Sequence, residues 1–262
     1  MGIFLNIIIY LIVFLMGITV FSYLNYVIQR LPEKESITNK HSSCRYCGHE
    51  QSVRDVLPVI SYIRYQGRCR YCGQKLPVRE LLVDIFGGVL AVICVLFYGI
   101  SIQALFVFLV MSDLTVISFI DADTQEIPPV FNYILLVLGI ISVWVMDGPD
   151  IIERLIGMIS ISLPMFVMLL LFNGFGGGDI KLMAASGFLL GWKGNVAAFL
   201  IGVIAGGIYG IYLLISKKKG KKDFFPFGPF LCAGIAVSLV HGFGTWVVQL
   251  YIDAIKNIIS FF

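Results

Sequence analysis

The sequence predicts an all-α polytopic membrane protein with about eight transmembrane helices and one polar insert between the first two. Three observations predict this class. Hydrophobic residues make up 58% of the 262 residues and charged residues 13%, with a mean hydropathy of +0.92, whereas a soluble domain carries about 25% charged residues. Apolar runs recur at close to the roughly 20 residues that a spanning helix needs. Of the 19 Lys and Arg, ten lie between Arg30 and Arg79 and five between Lys217 and Lys222. A soluble globular domain and a disordered chain are both excluded.

The runs follow in order. Residues 2–26 form the first predicted span. They have no positive n-region and are too long for a typical signal peptide, so an uncleaved helix is expected. Residues 80–98 and 102–120 form the second and third spans, 130–146 and 151–172 the fourth and fifth. Residues 180–192 form a short sixth, 196–216 the seventh and 230–251 the eighth. Cytoplasmic loops are enriched in Lys and Arg, which places residues 27–80 and 216–225 in the cytoplasm. An even number of crossings must then separate them. Counting 180–192 gives six and omitting it gives five, so the short run is expected to cross, thin or partly re-entrant. Both termini fall outside, as does the loop carrying Asp147, Asp150 and Glu153. The lysine cluster reads as an anchor beside anionic headgroups of the lipid bilayer. Nucleic acid is not an expected partner, because the first basic segment also carries five acids and the second is short.

The insert contains Cys44-x-x-Cys47 and, after 21 intervening residues, Cys69-x-x-Cys72; a glycine follows each pair, Gly48 or Gly73. Two close pairs at this spacing read as a tetrahedral zinc site with four cysteine ligands. Disulfides are disfavoured in the reducing cytoplasm, and so short and polar a segment needs such a staple to fold. Four thiolates fill the tetrahedron, so this zinc is expected to be structural. Cys94 and Cys232 lie in apolar runs and read as small buried hydrophobes.

Four acids lie where helices meet the cytoplasmic face or enter the apolar zone. Asp113 is in the third run, Asp121 and Asp123 end it, and Asp179 opens the sixth after Gly174-Phe-Gly-Gly-Gly. An ionisable residue at membrane depth costs about 2.5–3.5 kcal/mol on insertion scales and is a functional candidate by default. Two carboxyls brought together share one proton. One then takes a proton from water while the other polarises a carbonyl, which is the chemistry of amide hydrolysis. Bare glycine backbone beside Asp179 suits pairing with an extended peptide; a flexible loop ended by a capping acid is the plainer alternative.

These residues together resemble the type IV prepilin peptidases, the bifunctional leader peptidase and N-methyltransferase family of GxGD aspartic membrane proteases. Gly17-x4-Ser22-x-x-Asn25-x4-Arg30-Leu31-Pro32 looks like its opening signature. The four cysteines, with Gly67-Arg68-Cys69-Arg70, look like its cytoplasmic zinc module. Phe119-Ile120-Asp121, followed by Ile127-Pro128, resembles the first catalytic motif, and Gly176-x-Gly178-Asp179-x-Lys181-Leu182 the second. Pro129 departs from the pattern, standing where members often have Asp, and this favours Asp121 over an acid further downstream.

The resemblance implies a division into a first transmembrane helix (1–26), a zinc-binding insert associated with methyl transfer (27–80) and a seven-helix peptidase domain (81–262). It implies removal of a short basic leader from prepilins and pseudopilins at the cytoplasmic face of the cell (inner) membrane. Methylation of the new N-terminal residue by S-adenosylmethionine then follows. By carry-over Asp121 and Asp179 are the catalytic pair, with Asp123 the competitor for the first place, and Gly176, Gly178 and Lys181 support the catalytic loop. No dinucleotide-type Gly-x-Gly-x-x-Gly follows a strand, and by motif resemblance Gly67 and Arg68 are candidates for the methyl-transfer site. Asp113 reads as a packing or polar-cluster residue, and His41, His49 and His241 receive no role. A basic leader approaching the basic insert is expected either to be offset by Asp123, Glu126 and Glu80 or to lie on anionic lipid. Three rivals stand beside this reading: a preflagellin-like peptidase, against which the zinc insert argues; a proton-coupled transporter, which predicts acids deep on several helices; and a zinc-stabilised assembly protein without catalysis.

Overall fold

The computed structural model describes residues 2–32, 47, 62, 64–75, 77–172, 174–216 and 226–240. Cys44, the three histidines, the lysine cluster and the end of the eighth predicted span lie outside the described residues. Among the described residues the chain is helical, with one isolated antiparallel bridge between Arg68 and Lys75. The helices are α1 (Gly2–Arg30), α2 (Val78–Tyr98), α3 (Ile102–Thr124), α4 (Pro129–Val145), α5 (Ile151–Ser160), α6 (Ser162–Phe172), α7 (Gly177–Ile215) and α8 (Gly228–Leu239). Five described segments are long and apolar enough to cross a membrane: Phe4–Arg30, Val78–Tyr98, Ile102–Thr124, Ile151–Phe172 and Gly177–Leu213. Pro129–Val145 and Gly228–Leu239 are shorter apolar helices. The chain divides into two compact units, Met1–Phe108 and Leu109–Phe262.

In the first unit, α1 and α2 pack through glycines. A Cβ on Gly17 would lie 2.5 Å from the Gly87 carbonyl oxygen, so the backbones meet where neither helix has a side chain. Phe21 fills the notch at Gly87, and its ring lies 6.0 Å from Phe86 and 5.9 Å from Phe108. Towards the insert, polar groups replace the glycines. Asn25 Nδ2 donates to Asp84 Oδ1 at 2.6 Å and to the Glu80 carbonyl at 2.9 Å, and Gln29 Nε2 donates to Glu80 Oε1 at 2.9 Å. Both helices run further than the sequence patterning indicates: α1 reaches Arg30 and α2 starts at Val78, inside the range read as insert.

In the second unit, α7 is two helices joined at Gly191, whose φ of 70° and ψ of 173° break the helical ladder. Asn195 Nδ2 donates to the Met183 carbonyl at 3.1 Å, and Ser186 Oγ donates to Asn195 Oδ1 at 3.0 Å. Twelve residues of straight helix would span about 18 Å, so the chain reverses at Gly191. The short run and the seventh run of the sequence are therefore the two arms of one hairpin, the first beginning at Gly177 and not at residue 180. Left-handed φ is cheap for glycine alone, and Pro149 sits where a Cβ on Gly191 would be.

Arg154 secures this reversal. Its guanidinium is 2% exposed and donates to the carbonyls of Phe188 and Leu189 at 3.1 and 3.2 Å. It also donates to Pro149 O at 2.9 Å and Ser142 Oγ at 2.6 Å. The carbonyls left unpaired by the break at Gly191 thus receive a cation, as the C-terminal end of a helix favours. Glu153 pairs with Lys193 at 3.6 Å across the same turn. Gly157 and Gly187 let α5 and the first arm of α7 touch backbone to backbone, and Gly234 does the same for α8 against Ala198 of the second arm.

Candidate functional site

Asp121 lies in the last turn of α3 and is 5% exposed. Its Oδ2 accepts the backbone N–H of Gly228 at 2.9 Å, across 107 residues of chain. Gly228 opens α8, so the carboxylate caps the N-terminus of another helix, where unpaired N–H groups and the helix dipole favour an anion. A Cβ at residue 228 would lie 2.7 Å from Asp121 Oδ2. Only glycine lets the donor come so close.

Asp179 stands third in α7. Its Oδ2 accepts the Gly176 N–H at 3.3 Å, reaching back over the start of the helix as the acid of a capping box does. Gly178 is required by a neighbour: a Cβ there would sit 2.9 Å from Ile127 Cβ. Ile127 follows Asp121 by six residues, so this contact brings the segment after the first acid onto the turn that carries the second. Asn132 of α4 adds a donor, its Nδ2 lying 3.4 Å from the Gly178 carbonyl. Gly177 and Gly174 meet nothing within 4 Å. The glycine run thus combines positions fixed by packing with an open edge.

The charge of Asp121 bears on Asp179, and Cys232, buried in α8, feels Asp113, Asp121 and Asp179 together. Residues 113, 121, 179 and 232 are thus gathered by three helices at one region of the second unit. Each acid of the pair is held through Oδ2, leaving Oδ1 to whatever enters. Asp123, two residues from Asp121, is exposed on another face of α3, and Lys181 and Glu126 are exposed. Asp113 Oδ2, Asn132 Oδ1 and Ser238 Oγ are buried without a hydrogen-bond partner among the described residues.

The cysteine module has its own geometry. The sulfurs of Cys47, Cys69 and Cys72 lie within 4.8 Å of one another. The Cys69 carbonyl accepts the Gly73 N–H at 2.9 Å, and the Cys69 N–H donates to Gln74 O at 2.8 Å. Gly73 adopts φ of 71°, which closes the turn after the second pair. Thiolates around a tetrahedral zinc are about 3.8 Å apart, given a Zn–S distance of about 2.3 Å. Two thiols on this turn, with that of Cys47 converging on them, therefore fit a zinc ion. Gly67 is buried, with the Tyr62 ring 2.8 Å from where a Cβ would be, and Arg68 is exposed.

Sequence reasoning missed Gly228, Asn132, Arg154 and Asp84. For Gly228 a signal existed: Phe227-Gly228-Pro229 opens an apolar run, and proline in a first turn marks a helix start.

An apolar helical chain with two remote carboxylates gathered at helix ends defines a polytopic membrane protein with a paired-acid site. The family comparisons narrow that class. Residues 15–98 match the bacterial peptidase A24 N-terminal domain, which takes in the cysteine pairs, and residues 106–211 match the type IV leader peptidase family, which takes in Asp121 and Asp179. The chain is 32% identical over 222 residues to the prepilin leader peptidase/N-methyltransferase of Burkholderia pseudomallei, covering 81% of this chain and 71% of the relative. It is 29% identical to that of Pseudomonas putida, covering 87% and 88%, and 25% identical to that of Bacillus subtilis, covering 88% and 94%. No solved structure matches it with significance. The chain belongs to the type IV prepilin leader peptidase family.

Proposed function

We propose that this chain removes the leader from prepilins or pseudopilins at the cytoplasmic face of the inner membrane and then methylates the new N-terminus. The supporting observation is the convergence of Asp121 and Asp179, each pinned through one oxygen by a backbone N–H at a helix start. A water between the remaining oxygens loses its proton to one carboxylate as it attacks the scissile carbonyl. The other acid, protonated, donates to the carbonyl oxygen. Collapse of the tetrahedral intermediate breaks the C–N bond, and the departing amine takes the proton. The open edge at Gly174 and Gly177 offers room for the extended peptide beside Asp179.

Eight crossings complete the reading, with α7 counted as two, α5 and α6 together as one, and the apolar run 230–251 of the sequence as the last. Both termini then lie outside, with the acid pair and the insert in the cytoplasm. The organisation is a first helix (1–26), an insert held by zinc on Cys44, Cys47, Cys69 and Cys72 (27–80), and a peptidase domain (81–262). Gly176, Gly178 and Lys181 shape the catalytic loop. Gly67 and Arg68 stand nearest to the methyl-transfer role, and S-adenosylmethionine, when bound, supplies the methyl group.

A single assay tests this. Purified protein in lipid is mixed with a peptide carrying a basic leader and an apolar segment, with and without S-adenosylmethionine, and products are read by mass spectrometry. The expected result is one cut without the methyl donor, and the same cut plus 14 mass units (one CH2) on the new N-terminal fragment with it. An uncut peptide under both conditions would contradict the reading.

A further inference from the structure

The run from Gly174 to Gly178 contains a single side chain larger than hydrogen, that of Phe175. A turn of four glycines has little to hold it, yet it carries Asp179. Phe175 supplies an anchor. Its ring centroid lies 5.8 Å from Phe227 and 6.3 Å from Phe199, tilted at 47° and 58°, within the range of attractive ring contacts. Phe227 is itself fixed, because it fills the notch at Gly206, where a Cβ would lie 2.9 Å from its ring. The next residue, Gly228, donates the N–H that holds Asp121. One ring contact thus joins the backbone that carries Asp179 to the backbone that holds Asp121.

We propose that the Phe175–Phe227 contact is a positioning latch that sets the separation of the two carboxylates. Neither ring reacts; both act through the acids. The latch rests on the peptidase reading above. The latch is lost with either ring, and losing both opens the pair no further than losing Phe175, which also forfeits the contact with Phe199. A nearby ring contact serves as a control: Tyr209 and Phe230, 5.3 Å apart, join the second arm of α7 to α8 through rings other than the latch pair.

The test is steady-state cleavage of the same leader peptide by wild-type protein and by Phe175→Ala, Phe227→Ala, the double variant, Phe175→Tyr and Tyr209→Leu. Rates are taken per folded molecule. The latch predicts that kcat falls at least tenfold in either alanine variant, with KM within twofold. It predicts a double variant no slower than the slower single, recovery to within threefold in Phe175→Tyr, and wild-type kcat in Tyr209→Leu. Methylation of an already cleaved peptide stays at the wild-type rate throughout. If Phe175→Ala does not fold, Phe175→Leu replaces it under the same criteria. Unchanged kcat in the alanine variants, or losses that multiply in the double, would overturn the latch. Wild-type protein that does not cut would remove the peptidase reading and the latch with it, whereas wild-type cutting beside an unimpaired Phe175→Ala removes the latch alone.

Discussion

At Gly228 a methyl group would meet Asp121 Oδ2 at 2.7 Å, so the acid must move or the helix must retreat. Gly228→Ala is expected to lower leader cleavage about a hundredfold, the usual consequence of a misplacement near 1 Å. Gly177→Ala is the contrasting case. That position faces open space in the first turn of a helix, and alanine is the better helix former by up to about 1 kcal/mol. Cleavage kinetics and unfolding in detergent should show Gly177→Ala as stable as wild type or better and still active; equal losses at both glycines would contradict the packing argument. The pattern Gly-x-Gly-Asp was legible in the sequence, but which glycine is fixed by a neighbour was not. That depends on Ile127, which lies 51 residues before Gly178 in the chain.

The helices differ in how well sequence announces them. Apolar runs named the spans, because length and hydropathy are local properties. The hairpin at Gly191 was legible only as a count of crossings that had to be even. Arg154 carries no sign of its role in the sequence, since nothing nearby reveals that it caps carbonyls 34 and 35 residues away. Arg154→Met should cost about 2–3 kcal/mol, because buried carbonyls lose their donor; detergent unfolding checks this, and a change under 0.5 kcal/mol would count against the cap. A larger side chain at Gly157 must push apart α5 and the first arm of α7, which touch through Gly187. Gly157→Leu is expected to prevent accumulation of folded protein, read as monodisperse yield, while Gly207→Ala provides a mild comparison, because nothing lies within 4 Å of a Cβ there.

Taken as a whole, the chain places its two candidate motifs in different compact units. The cysteine turn belongs to the first unit, and Asp121 and Asp179 to the second. Cys69→Ser is expected to reduce bound zinc from about one ion per chain to near none by metal analysis, whereas substitution at the acids should leave zinc untouched. The Gly-x-Gly-Asp and Cys-x-x-Cys patterns could be read because each is a short motif. Asp84 was not, because a lone acid in an apolar run gives no sign that Asn25 of the neighbouring helix bonds it. The most direct measurement is cleavage of a leader peptide by Asp121→Asn and Asp179→Asn, prepared separately with zinc content verified. Each is predicted to abolish cutting on its own. Normal cutting by either variant would show that the two carboxyls do not work as a pair.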